Sequence, residues 1–283
     1  MPTETVAVAK SLAKRLLDVW FAGKVSLLRA IGVVDFRVPP NHNIRTTSSS
    51  TIRHYYESGL TTTLPIVVSA MHAGANLYGP LKVLDFGCGA ARQILHLTRL
   101  YPQLRISACD VDFDVIRFVQ QAYPQVDAYA SSFDPPLRYP DAAFDLIYSV
   151  SIFSHLSFDD RKLWLAELSR VLKPGGLAIL TFNGLYSLRV AHRRGLRKQF
   201  TEQQLEQQGF VFDAAQPTAK EVSRRVEDPR FGELGIGISR IYGEMYYHPE
   251  RVGDYFGVNG LNVVRHLEGI VDQLQDLVVL RKA

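Results

Sequence analysis

Residues 81–92 read Leu-Lys-Val-Leu-Asp-Phe-Gly-Cys-Gly-Ala-Ala-Arg, from Leu81 to Arg92. The apolar pair Val83 and Leu84 ends at Asp85, two glycines follow at Gly87 and Gly89, and a helix-forming stretch free of proline opens at Ala90. A buried strand, a tight glycine turn and a helix N-terminus in that order let a ligand lie against bare backbone. One strand later, Ile106-Ser-Ala-Cys-Asp110 ends in an acid, about twenty residues past the turn, where a carboxylate can hold a ribose diol. Together these features predict a pocket for an adenosine-containing cofactor. The glycines alone would serve equally well for close packing of strand against helix.

A dinucleotide site needs G-x-G-x-x-G, its third glycine allowing helix and pyrophosphate to approach. Here the sixth position is Arg92, so that pattern fails. The D-x-G-x-G form, with Asp85 two residues before Gly87, resembles the first motif of class I S-adenosylmethionine-dependent methyltransferases. S-adenosylmethionine carries an ammonium and a sulfonium but no phosphate, so an acid at the strand end suits it better than a cradle of donors. A second segment, E-L-S-R-V-L-K-P-G-G from Glu167 to Gly176, resembles the hallmark of methyltransferases of the type 11, 12 and 25 groups. The resemblance covers Pro80 to Asn183 well and the C-terminal third loosely. It departs at Ala91, where the family often has a third glycine; alanine is small enough to imply altered packing with binding retained.

Working outward, the alternation of elements predicts an α/β fold with a Rossmann-like, doubly wound sheet. Strands fall near 82–86, 104–109, 126–129, 144–149 and 177–182, with helices near 90–100, 113–121 and 159–171. Asn262–Leu267 and Leu277–Arg281 are strands with no helix between them, so they should pair antiparallel after a helix at 249–256. The expected sheet is seven-stranded and mostly parallel with an antiparallel last strand, as in class I methyltransferases. Residues 81–183 and 248–283 would form the core, and 1–80 an N-terminal helical cap. That cap holds an amphipathic pattern from Val6 to Trp20 and two short helices, Thr51–Gly59 and Leu64–Ala75. Such helices either close over the cofactor or simply cap the sheet. Residues 184–247, basic and then rich in glycine and aromatics, read as an insertion contributing to the substrate pocket, with a helix at Thr201–Gln208.

The 283 residues, 47% hydrophobic, can bury the core of one large domain. No apolar run reaches the ~20 residues needed to cross a bilayer, and Met1 to Lys10 lacks the basic-then-apolar order of a signal peptide. With only Cys88 and Cys109, expected as reduced thiols, the reading is a cytoplasmic protein without a metal site. Net charge is +4, with basic residues concentrated in Arg189–Lys198. That stretch is either a solvated face or a patch receiving an anionic substrate. Nucleic acid is disfavoured as a partner, because no recognised binding motif occurs and the basic residues are not interleaved with stacking aromatics.

In open α/β sheets ligands bind beyond the carboxyl ends of the strands. The resemblance implies that Asp85, Gly87 and Gly89 line the methionine part of S-adenosylmethionine, with Asp85 acting directly or through water on the ammonium. It places Asp110 on both ribose hydroxyls, Val111 on the adenine face, Ser132 and Phe133 at the adenine edge, and Ser149 near the sulfonium. Methyl transfer is an in-line displacement, so the protein must align the groups and exclude water. A hydroxyl acceptor also needs a base. His155, in Ser151-Ile-Phe-Ser-His-Leu156, is the best-placed titratable residue; otherwise it caps the following helix or fills the rim of the core. Tyr148, Asn183, Tyr186 and His248 are acceptor-side candidates, and Tyr55 with His54 and Tyr56 could form a lid. The expected activity is methyl transfer to a small-molecule acceptor, at oxygen. The rivals are a catalytically silent cofactor-binding protein and an RNA or protein methyltransferase; the second requires the 189–198 stretch beside the pocket and a long open groove.

Overall fold

A computed structural model describes residues 16–17, 19–20, 23–24, 27, 39, 51–195, 200–214 and 243–283. Most of the Val6–Trp20 pattern lies outside the described residues, as does much of 184–247; Leu16, Leu17, Val19 and Trp20 are helical and exposed.

Strand β1 (Lys82–Phe86) is buried from Val83 to Phe86 and lies inside the sheet. It pairs in parallel with β2 (Arg105–Asp110) on one side and β4 (Phe144–Ser149) on the other. Beyond β2 lies β3 (Asp127–Ala130), and beyond β4 lies β5 (Leu172–Gly184), both parallel to their neighbours. The sheet continues through β9 (Gln275–Lys282), antiparallel to β5, and β8 (Leu261–Val271), antiparallel to β9. Helices cover both faces, which explains the near-continuous apolar runs of the central strands. On one face pack α1 (Ile52–His72), α2 (Arg92–Leu100) and α3 (Phe113–Ala122), through residues such as Ile66, Ile94 and Ile116. On the other, α4 (Phe158–Val171) buries Trp164 and Leu165. Cys88 belongs to the first core and Cys109 to the second, and both are free thiols.

The structure corrects two expectations. The sheet has nine strands among the described residues, because the insertion adds β6 (Phe210–Ala214) and β7 (Gly243–Tyr247) to the expected seven. These two pair antiparallel, and β7 joins the carboxyl end of β5 at Asn183 and Gly184. With α5 (Leu185–Arg193) and α6 (Glu202–Gln208) they share a small core of Leu185, Leu188, Leu205, Val211 and Tyr246. The two strands are five residues long and far apart in the chain, so no hairpin signal links them.

The second correction concerns α1, a single helix where two were expected, running through Pro65. An interior proline costs a helix about 3 kcal/mol. Here one buried face runs unbroken from Tyr55 to Ala70, and each large apolar side chain buried on it returns roughly 1.5–3 kcal/mol. Packing therefore overrides the local breaker. The chain closes with a 3₁₀ turn (Pro249–Arg251) and α7 (Val252–Phe256), which joins the α4 face. Among the described residues no helix is long and apolar enough to cross a membrane.

Candidate active site

The glycine turn after β1 is fastened to the end of β2. The amides of Gly87 and Cys88 both donate to the carbonyl of Cys109, at 2.9 and 3.0 Å. The amide of Gly89 donates to one oxygen of Asp110 at 2.8 Å, and that of Asp112 to the other at 3.0 Å. Asp110 is thus fixed by two backbone donors, each leaving a lone pair on its oxygen for a further donor. Gly87 has φ +78°, and a Cβ there would lie 2.3 Å from the end of Ile152. Only glycine leaves both the conformation and the space. Ala91, in place of a third glycine, holds the left-handed region at φ 64°, at a cost of ~1–2 kcal/mol. Its fully buried methyl and the latching of α1 onto this turn offset that strain.

That latch comprises several contacts. The Tyr55 hydroxyl donates to the carbonyl of Ala90 at 2.5 Å, Arg92 donates to the Ser58 hydroxyl at 3.1 Å, and Gln93 to that of Thr62 at 2.6 Å. Gly59 permits the approach, since a Cβ there would sit 2.8 Å from the carbonyl of Arg92.

Beside the turn opens a pocket of about 580 Å³, counted out to its mouth. Phe86, Gly87, Asp110, Val111, Ser131, Ser132 and Phe133 line it. Ile152, His155, Leu156 and Trp164 complete it. Six sequence candidates therefore converge: Gly87, Asp110, Val111, Ser132, Phe133 and His155. Among the described residues no lysine or arginine lines the pocket, so these offer no cation to a pyrophosphate. A carboxylate for a ribose, apolar walls for a purine and a bare glycine turn do fit S-adenosylmethionine. Phe86, Ser131, Ile152, Leu156 and Trp164 were not read as site residues. Ile152 and Leu156 flank His155 within one strand-end loop and could have been taken with it, whereas Trp164 shows only the periodicity of a core helix.

The other candidates lie outside this pocket. Asp85 and Tyr148 are buried together, the Tyr148 hydroxyl donating to Asp85 at 2.8 Å. Ser149 donates to the carbonyl of Phe86 at 2.8 Å and joins the ends of β4 and β1. Gly89 meets Asp110 through its amide. Tyr55 is fully buried in the latch, not facing outward as a lid would. Asn183 accepts from Gln275 at the end of β5, Tyr186 is partly exposed on α5, and His248 donates its amide to Gly209 beside the 3₁₀ turn.

Burial pushes Asp85 up to about 7, opposed by the Tyr148 hydrogen bond and by Arg92 and reinforced by Asp110. Burial likewise raises Asp110, while the amides of Asp112 and Gly89 pull it down. Both cysteine thiols are pushed up by burial, which leaves them as unreactive core groups.

A raised carboxyl has a definite sign. The folded protein holds the Asp85 proton over a range where the unfolded chain has released it. Stability from this group is therefore present at low pH and lost as pH rises from about 4 to about 7. Asp85→Asn keeps an oxygen for Tyr148 and cannot ionise. Its melting-temperature advantage over the wild type should grow between pH 5 and pH 8, as followed by circular dichroism. A constant difference across that range would contradict burial as the cause.

His155 carries the site's clearest polarity. Its Nδ1 lies 2.8 Å from the carbonyl of Gly243, at the start of β7. A carbonyl can only accept, so Nδ1 carries the proton of the neutral ring and the basic lone pair falls on Nε2. Strand β7 thus sets the tautomer of a pocket residue.

Residues 83–176 match the family model of a methyltransferase domain. A malonyl-[acyl-carrier protein] O-methyltransferase of Hahella chejuensis is 32% identical over 101 residues, 35% of this chain and 36% of that protein. A tRNA N(3)-cytidine methyltransferase of Gallus gallus is 28% identical over 116 residues, 38% of this chain and 31% of that protein. The matches thus span about a third of the length of these curated relatives. Among solved structures, a SAM-dependent methyltransferase from Methanosarcina mazei superposes with a TM-score of 0.52 at 15% identity, covering 75% of this chain and 96% of that one.

Proposed function

We infer, for a chain built on a class I S-adenosylmethionine-dependent methyltransferase domain, that it transfers a methyl group to a small-molecule acceptor, at oxygen. The observation that carries this reading is the junction in one pocket of Asp110, the Gly87 turn and a His155 whose tautomer leaves Nε2 basic. Bound S-adenosylmethionine supplies an activated methyl on a sulfonium. Asp110 would hold the ribose diol by two charge-assisted hydrogen bonds. Val111, Phe133 and Leu156 would line the adenine and keep water from it. Asp85, buried with Tyr148, would act on the ammonium directly or through water, its charge becoming favourable once a cation is close. His155 would accept the acceptor hydroxyl's proton at Nε2 as the carbon–oxygen bond forms and the methyl–sulfur bond breaks, the donor's sulfur leaving as a neutral thioether.

The basic stretch bears on the acceptor. Arg189 is paired with Glu202 at 2.8 Å, and Arg193 lies over the Tyr186 ring. Both are committed within the insertion, which supports a small acceptor over a nucleic acid; residues 196–199 of the stretch lie outside the described residues. The experiment is a tritium-methyl transfer screen against fractionated cell metabolites, with bulk tRNA as a parallel acceptor. Label in a small-molecule fraction, lost on mild base hydrolysis when it is an ester, supports the reading. Label in tRNA alone would replace it.

A further inference from the structure

The loop after β4 carries three residues of the pocket wall, Ile152, His155 and Leu156. It begins in an unfavourable conformation, with Ser151 left-handed at φ +65°. What holds it there comes from the far end of the chain. The Ser151 amide donates to the Thr181 hydroxyl at 2.8 Å, and the Ser151 hydroxyl to the Gln275 side-chain oxygen at 3.0 Å. Thr181 donates to that same oxygen at 2.9 Å. The Gln275 amide nitrogen donates to the Ser154 hydroxyl at 3.2 Å and to Asn183 at 3.3 Å, while Ser154 donates to the carbonyl of Ser151 at 2.7 Å. One primary amide thereby uses both acceptor and both donor positions. It grips the two ends of the turn from Ser151 to Ser154 and ties them to β5.

We propose that Gln275 is a positioning residue for the methyl transfer, acting through the Ser151–Ser154 turn on Ile152 and His155. This rests on the cofactor-pocket reading above. Ile152 already stands where any Cβ on Gly87 would collide with it, so a small relaxation of the turn moves the wall against the glycine turn. The same relaxation draws His155 from the Gly243 carbonyl. Without Gln275 the hydroxyls of Ser151 and Thr181 lose a buried acceptor, and Ser151 has less to keep it left-handed.

The test uses the full chain with Gln275→Ala and Gln275→Glu, S-adenosylhomocysteine as the calorimetric probe, and hydrogen exchange of residues 150–157. Gln275→Ala should weaken S-adenosylhomocysteine binding by about tenfold or more, since small misplacements at a site are costly. The amides of Ser151 and His155 should exchange at least about tenfold faster while those of β1 keep their protection. Gln275→Glu keeps the acceptor for Ser151 and Thr181 but cannot donate to Ser154 and Asn183; it should protect Ser151 and lose less affinity. A lower melting temperature in both variants, with wild-type affinity and wild-type exchange at 150–157, would overturn the proposal and leave Gln275 a packing residue. If Gln275→Ala does not fold, Gln275→Glu decides on the same two readouts. Wild-type protein that fails to bind S-adenosylhomocysteine would instead overturn the pocket reading, and the exchange comparison would still judge Gln275.

Discussion

Replacing Asp110 with alanine is expected to weaken S-adenosylhomocysteine binding by about 2–4 kcal/mol, roughly 30- to 1,000-fold, because two charge-assisted hydrogen bonds to the ribose disappear. Isothermal calorimetry reads this directly. Asp110 also receives the amides of Gly89 and Asp112. Losing that carboxylate strands two donors and frees the glycine turn from the loop after β2, so the melting temperature should fall as well, by the equivalent of roughly 1–3 kcal/mol. An unchanged dissociation constant would mean that the ribose is held elsewhere.

The second large effect belongs to His155. As a general base its removal should lower turnover ~10²–10⁴-fold. His155→Asn is the informative variant, because its amide can still donate to Gly243 and preserve the link to β7. Turnover on the acceptor found by the transfer screen should collapse while S-adenosylhomocysteine affinity stays near wild type. Near-normal turnover would remove His155 from proton transfer and leave alignment and desolvation as the sources of catalysis. The two variants separate cleanly. Asp110→Ala strikes binding and His155→Asn strikes the rate.

Local sequence carries the parts of this molecule whose geometry is local. Val83 to Arg92 is strand, turn and helix start within ten residues, and Asp110 ends the next strand, so both are legible as positions, and so is the order of the core strands. Tyr55 shows where that reading ends. Its aromatic ring near the N-terminus suggests a mobile lid, yet the chain buries it and uses its hydroxyl to hold the carbonyl of Ala90. The continuity of α1 through Pro65 was hidden for the same reason, since the stabilising face comes from α2 and not from α1 itself. β6 and β7 have no short-range signal because each gains its partners only from distant chain. Gln275 is the extreme case, a polar residue before an apolar strand whose partners lie 92 to 124 positions away. Ser149 illustrates a subtler limit. It stands where a sulfonium contact was expected, but its hydroxyl faces the Phe86 carbonyl and serves the sheet.

The Asp85 pair links stability to function. A carboxyl held under the glycine turn and pushed up to about 7 is an unfavourable place for a charge in the empty protein. In the proposed function the same charge would favour an arriving ammonium, so the site would give up stability to gain affinity. Asp85→Asn should therefore be the more stable protein at pH 8 and the poorer cofactor binder.

All of these expectations depend on the pocket taking an adenosine-bearing sulfonium donor and not a dinucleotide. Calorimetry on the full chain at neutral pH, titrating S-adenosylhomocysteine and NAD in parallel, tests that dependence most directly. S-adenosylhomocysteine should bind at micromolar affinity or tighter, about −8 kcal/mol, with no measurable heat from NAD. Tight NAD binding and none for S-adenosylhomocysteine would contradict the account at its root.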